Sequence, residues 1–227
     1  MRLIIIGTSH ISPESVAEIR QAITTHKPEA VAIELDHDRL RALFEKSSKR
    51  DYRMIKKVGL KGFLFAAIGS YIQEKLGKHI GMEPGDDMRA AVKTAREAKI
   101  PLLLIDQHIG VTLQRISKEF TWKEKGRLVG DVFRALFFGK RELKKRGLDH
   151  FDLKKVPQKK IIKQLTEELR QRYPSLYKVL IEERNQYMAR QLHALSKQYQ
   201  GVVLAVIGAG HEEGIVELLR VQTKNIK

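Results

Sequence analysis

The sequence predicts an α/β protein with a mainly parallel central sheet, helices on both of its faces and a large helical insertion before the last strand. Three observations carry this. Leu3–Ile6 runs into Gly7–Thr8–Ser9–His10, and Val202–Ile207 runs into Gly208–Ala209–Gly210–His211. Both are uninterrupted apolar runs of strand length, rich in Ile and Val, which read as strands buried on both faces. Between them, further strand-like runs alternate with segments of helical spacing, the pattern of βαβ units with right-handed crossovers.

Taken in order, strands are expected at about 2–6, 31–35, 101–105 and 202–207. After the first, Ser12 is placed to cap a helix, Pro13 to open it and Glu14 to favour its dipole; Val16, Ile19 and Ile23 form its apolar stripe, and Lys27–Pro28 ends it. Val31–Leu35 is the second strand. Residues 40–82 read as helical, with Leu40, Leu43 and Phe44 followed by Gly59–Ile68, Tyr71, Ile72 and Leu76, a wide apolar face suited to core packing. Glu83–Met88 is a turn into a helix bearing Met88, Ala91, Val92 and Ala95, whose acidic start complements the dipole. Ile100–Ile105 is a third buried strand ending in Asp106. From 111 to 200 the apolar residues keep helical spacing, apart from a basic, poorly patterned stretch at 139–160 that reads as a loop; 161–195 is helix, Pro174, helix. One domain over 1–227 is expected, with segments 40–82 and 111–200 inserted around the sheet.

The chain of 227 residues has no cysteine, so any metal must be held by His, Asp, Glu or water. No apolar window approaches the ~18–20 residues that span a bilayer, and the start has no signal-peptide core. A cytoplasmic location is the default. The net charge of +16 is uneven. Residues 39–62 hold nine basic and two acidic side chains, and residues 121–160 hold thirteen and five, while the presumed sheet is almost neutral. Basic helical segments of this kind serve as solvated faces, as sites of self-association into a homo-oligomer or as contacts to an anionic membrane surface. Nucleic acid is the disfavoured partner, because interleaved aromatics and reader motifs are missing.

Open α/β sheets bind ligands at the carboxyl ends of their strands. The two G-x-x-H turns place His10 and His211 on that edge, where they face a common crevice if the first and last strands are neighbours. Glu34 ends the second strand on the same edge, and Asp106 the third. A carboxylate there is costly unless it is paired or bound to a metal. Arg39, five residues on, is the plain ion-pair partner for Glu34. Asp36 and Asp38 are expected to face solvent, and Glu182–Glu183–Arg184–Asn185 is explained by a solvated helical turn.

With these residues placed, the sequence resembles the TraB/PrgY (pheromone-shutdown) family, related to GumN and Tiki-type proteins. The resemblance runs nearly end to end. It rests on Gly7–His10, Ala32–Leu35 with Arg39, Gly69–Gln73 with Leu76–Gly77, Pro84–Ala91, Asp106 before Thr112–Arg115, Glu183–Asn185 with Met188–Ala189, and Gly208–His211 with Gly214–Ile215. It implies a metal-dependent hydrolase, a metallopeptidase in the Tiki members, acting on peptides of pheromone-like or regulatory kind. His10, His211 and Glu34 would be ligands to a divalent Mn, Co, Zn or Fe ion. Glu34, Arg39, Glu183 and Arg184 would be the catalytic set, and Asp87 and Asp106 are further candidates. The alternative is a non-catalytic peptide-, haem- or membrane-binding regulatory protein. Two positions depart from the family pattern: Asp87 stands where Glu is common, and Gln107–His108 where Arg–Asp is common. Relatives often carry a membrane region after this core, so the chain is expected to be a soluble version or part of a longer, membrane-associated protein.

Overall fold

The computed structural model describes residues 1–8, 13–45, 85–131, 134 and 159–224. In chain order these form β1 (Arg2–Thr8), α1 (Pro13–His26), β2 (Ala30–Ile33), α2 (His37–Phe44), α3 (Asp86–Glu97), β3 (Leu102–Leu104) and α4 (Ile109–Glu119). A helical stretch over 122–131 follows, then α5 (Lys159–Arg172), the short α6 (Pro174–Tyr177), a π-helical turn (Lys178–Glu182), α7 (Glu183–Leu195), β4 (Val202–Gly208) and α8 (Ala209–Lys224). The fold is α/β, as the apolar runs predict.

The four strands lie in the order β1-β4-β2-β3, and every neighbouring pair is parallel. Alternation along β4 assigns the two faces. Leu204 and Val206 join Ile19 and Ile23 of α1 and Met88, Ala91, Val92 and Ala95 of α3. Val203, Ala205 and Ile207 join Met188, Leu192 and Leu195 of α7 and Ile215 of α8. Helices thus cover both faces of β4 and β2, which are buried almost throughout. The outer strands differ from expectation. β1 and β3 were read as buried on both faces, yet most of their residues are only partly buried. The last strand of the chain slots between the first and second, which leaves β1 at one edge and β3 at the other.

That insertion builds the crevice. Thr8 pairs with Gly208 and Ile33 with Val206, so the carboxyl ends of β1, β4 and β2 are level. After β2 the chain turns towards β3: α2 is tied there by Arg39 to Asp106 and by Asp36 to the Ile109 N–H. After β4 it turns the other way, and α8 packs on β1. A Cβ on Gly7 would stand 2.6 Å from a Glu212 carboxylate oxygen and 3.2 Å from the Ala209 Cα, so glycine here lets the start of α8 come close to β1. Adjacent strands whose following helices diverge leave an opening between them, the usual ligand position in open sheets.

A third apolar cluster joins Ile116 and Phe120 of α4 to Leu176 and Val179. Glu124 organises it. Its carboxylate accepts from the Thr121 N–H and hydroxyl, while the Glu124 N–H donates back to Thr121 Oγ1, a capping box for the 122–131 helix. The same carboxylate accepts from the N–H and hydroxyl of Ser175, capping α6. Burial would raise its pKa, but these donors overcome burial and hold it below the ordinary 4.5. A depressed folded-state pKa contributes stability above the unfolded value, and this is lost as pH falls through the folded value. Glu124→Gln is therefore expected to lower stability by about 1.5–3 kcal/mol at neutral pH. Urea titrations at pH 7 and at acid pH should show the gap narrowing with acid; a pH-independent gap would contradict the capping role.

Several expectations fall on 9–12, 46–84, 132–133, 135–158 and 225–227, which lie outside the described residues. They include His10, the Ser12 cap, the apolar segment Gly59–Ile68 and most of the basic insertion. Among the described residues no helix is long and apolar enough to cross a membrane.

Candidate functional site

Among the described residues the site is built on the ends of β2, β3 and β4 and on side chains of α2, α7 and α8. Glu34 is the first residue after β2 and is 5% exposed. Its Oε2 accepts from the Gly208 N–H at 2.6 Å, a bond that bridges the crevice from β2 to β4. Its Oε1 accepts from Nη2 of Arg184 and lies 3.4 Å from Nε2 of His211. His211 is buried in the first turn of α8, and its Nδ1 is 2.6 Å from Oδ1 of Asn185.

Arg184 joins two carboxylates. Its Nε and Nη2 donate to Asp106 at 3.2 and 2.6 Å, Nη2 also donates to Glu34, and Nη1 reaches the Leu180 carbonyl at 3.3 Å. Burial alone would lower its pKa; the charges of Glu34 and Asp106 overcome burial and hold the guanidinium well above its ordinary value. Asp106 also accepts from Arg39 Nη2 at 2.7 Å, and Arg39 donates through Nε to Asp36 at 3.0 Å and through Nη2 to the Gln107 carbonyl. Three carboxylates and two guanidiniums thus form one continuous network among the described residues.

The sequence reading needs three corrections here. The partner of Glu34 is Arg184, 150 positions away, rather than Arg39, because α2 leads Arg39 towards β3 and Asp106. Asp36 does not face solvent. It is 5% exposed, caps α2 by accepting from the Arg39 N–H, and accepts from the Ile109 N–H. Burial would raise its pKa, but those donors and the Arg39 charge hold it below the ordinary carboxylate value. The Glu182–Asn185 turn is only half solvated, since Arg184 and Asn185 point into the crevice. The cause is the π-helical turn before it, in which the Glu183 N–H bonds back to the Lys178 carbonyl. The extra residue in that turn moves the inward line by one position, from Glu183 and Arg184 to Arg184 and Asn185; π-turns recur at functional sites.

The other candidates fall elsewhere. Glu183 pairs with Arg115 at 2.6 Å and does not touch Glu34. Asp87 is fully buried at the start of α3, where Oδ2 accepts from the Thr8 hydroxyl at 2.5 Å and Oδ1 from the Met88 N–H. It braces the end of β1, two residues before His10. Gln107 and His108 also have local duties: Gln107 bonds Thr112, while His108 caps α4 through Nδ1 and pairs with Asp38 through Nε2. Asn185 and the Gly208 N–H belong to the site and were missed as site groups. Their only sequence signal was adjacency, to Arg184 and to the second G-x-x-H turn.

Next to the network, a cleft of about 900 Å³ opens between α5, the π-turn and α8. Asn185, Ala209, Gly210 and Gly214 line it together with Tyr177 and Ile181. Among the described residues no group of three or more His, Asp or Glu is arranged to hold a metal ion.

The chain is 34% identical over 221 residues to an uncharacterized protein of Methanocaldococcus jannaschii, covering 95% of this chain and 53% of that protein. It is 25% identical over 242 residues to the human TraB domain-containing protein, covering 94% of this chain and 61% of the relative, and 24% identical to its mouse counterpart. It therefore spans between about half and three-fifths of the length of these relatives. The family model for TraB/PrgY/gumN matches residues 2–226, so the chain belongs to the TraB/PrgY/gumN family.

Proposed function

We propose that this chain is a metal-dependent hydrolase acting on peptides. The observation that carries the reading is the meeting of the buried Glu34 and His211 with Arg184 in the crevice between β2 and β4. Two neighbouring ligand atoms on a tetrahedral shell of ~2.1 Å radius stand ~3.4 Å apart, and His211 Nε2 lies 3.4 Å from Glu34 Oε1. Those two donors suit a divalent ion of the Mn, Co, Zn or Fe kind. His10 would be the third. When bound, such an ion supplies an activated water and polarises a carbonyl.

The chain's own groups divide the remaining work. Glu34, with both oxygens accepting hydrogen bonds, is better suited to hold and orient than to take a proton. Arg184 fixes Glu34 and Asp106 and has little donor capacity left. Arg39 is a quarter exposed, and its Nη1 makes no hydrogen bond among the described residues. It is the guanidinium available to a substrate carboxylate or a developing oxyanion. The neighbouring cleft, lined by apolar side chains such as Ile181 and Val216 and by charged ones such as Lys163, Glu213 and Arg220, has room for a few residues of extended peptide.

The test is hydrolysis of a peptide library by protein reconstituted with each metal, read by mass spectrometry against His10→Ala and His211→Ala. Activity of the unaltered protein no greater than that of the variants would sink the proposal. One observation favours a second reading, a regulatory peptide or haem binder without turnover: both Glu34 oxygens are already engaged. A Soret band on haem titration, or calorimetric peptide binding with no product formed, would select it.

A further inference from the structure

We propose that Asn185 is the positioning residue for His211. Its Oδ1 accepts from the ring's Nδ1–H, which fixes the plane of the ring and turns Nε2 towards Glu34 and the crevice, and Gly214 is glycine to make room for it. The functional consequence rests on the hydrolase reading above; the geometry does not.

His211 and Asn185 are 5% and 6% exposed. Their contact, Nδ1 to Oδ1 at 2.6 Å, is a short hydrogen bond between two buried side chains. With oxygen on that side of the amide, the imidazole must donate from Nδ1, and a neutral ring then carries no proton on Nε2. Asn185 is also confined on its other side. Nδ2 of Asn185 lies over Gly214, where a Cβ would collide with it and come within 3.3 Å of Cγ. Glycine inside a helix costs about 1 kcal/mol relative to alanine, so its presence within α8 calls for a packing reason. Gly210, one turn earlier, would meet nothing within 4 Å. Gly214 alone of the two is required by the space around it. Asn185 is brought to this spot by the π-turn at Lys178–Glu182, without which this position would fall on Arg184. A partner on the second nitrogen of this kind fixes both the tautomer and the plane of a ligating histidine.

The test uses the full chain without metal, with ¹⁵N-labelled histidine. Long-range ¹H–¹⁵N spectra should show His211 protonated on Nδ1. Asn185→Leu and, independently, Gly214→Ala should shift it towards the Nε2–H form, while Asn185→Asp, which keeps the acceptor, should preserve the Nδ1–H form. Titration with Mn²⁺ or Zn²⁺ alone should show binding weakened about 10–100-fold in Asn185→Leu. If Asn185→Leu does not fold, Gly214→Ala carries the comparison. A wild-type ring protonated on Nε2 alone, or a protonation pattern unmoved by both substitutions, overturns the assignment. An Nδ1–H ring in a protein that neither binds metal nor cleaves peptide upholds the positioning and removes the hydrolase reading.

Discussion

Arg184→Met is expected to lower the stability of the fold by about 3–5 kcal/mol at neutral pH, the cost of breaking a buried ion pair from one side. The arginine side chain is 13% exposed, and the Glu34 and Asp106 carboxylates that it joins are 4% and 0% exposed. Methionine roughly fills the space but leaves two like charges facing each other away from water. Asp106 would keep Arg39 as a partner. Glu34 would keep the Gly208 N–H and whatever His211 supplies. Adding Asp106→Asn to Arg184→Met should therefore recover part of the loss, whereas Asp106→Asn alone should destabilise. The two carboxylates hold the pKa of Arg184 above its ordinary value, so the arginine stays charged throughout. Urea titrations of the four proteins decide the matter. A loss below ~1 kcal/mol for Arg184→Met would show that this network is not buried as described.

His211→Ala is expected to reduce peptide hydrolysis by at least ~10²-fold under the proposed activity, corresponding to roughly 3 kcal/mol of transition-state stabilisation. Its effect on the fold should be smaller. Removing the imidazole leaves a small polar-walled cavity beside the cleft and strips Asn185 of one hydrogen bond, which costs about 1–3 kcal/mol. Glu34→Gln should separate the roles further. It retains an acceptor for the Gly208 N–H while removing the charge that faces Arg184 and His211, so it should weaken metal binding and stability together. Activity that survives His211→Ala, with metal affinity unchanged, would place the chemistry elsewhere.

The sheet was readable because its strands are continuous apolar runs, and a run of that kind has few other places to lie. Val202–Ile207 and Leu3–Ile6 could be recognised as neighbours only through their shared G-x-x-H endings, and the structure pairs them in register from Arg2 to Thr8. Helix ends were readable for the same local reason: Pro13 opens α1, and Lys27, in the left-handed region at φ 43°, ends it before Pro28. The edge positions of β1 and β3 were not readable, because burial on both faces depends on where the last strand inserts.

The site divides along the same line. Repetition of a local pattern pointed to His211, and strand-end position pointed to Glu34 and Asp106, since each is a property of a few consecutive residues. Pairing is not local. A carboxylate with one arginine 5 positions away and another 150 positions away carries no sign of which will reach it, and the direction in which α2 leaves β2 decides for Arg184. Asp36 looked solvated because its sequence neighbours are charged, yet the start of α4 folds over it. Asn185 looked like one polar residue in a polar turn. A π-turn, which changes the register of a helix without a clear mark in composition, carries it inward to His211. Residue type and spacing determined which chemical groups reach the sheet's carboxyl edge; the crossover of the chain and one extra residue in a helical turn decided which of those groups touch.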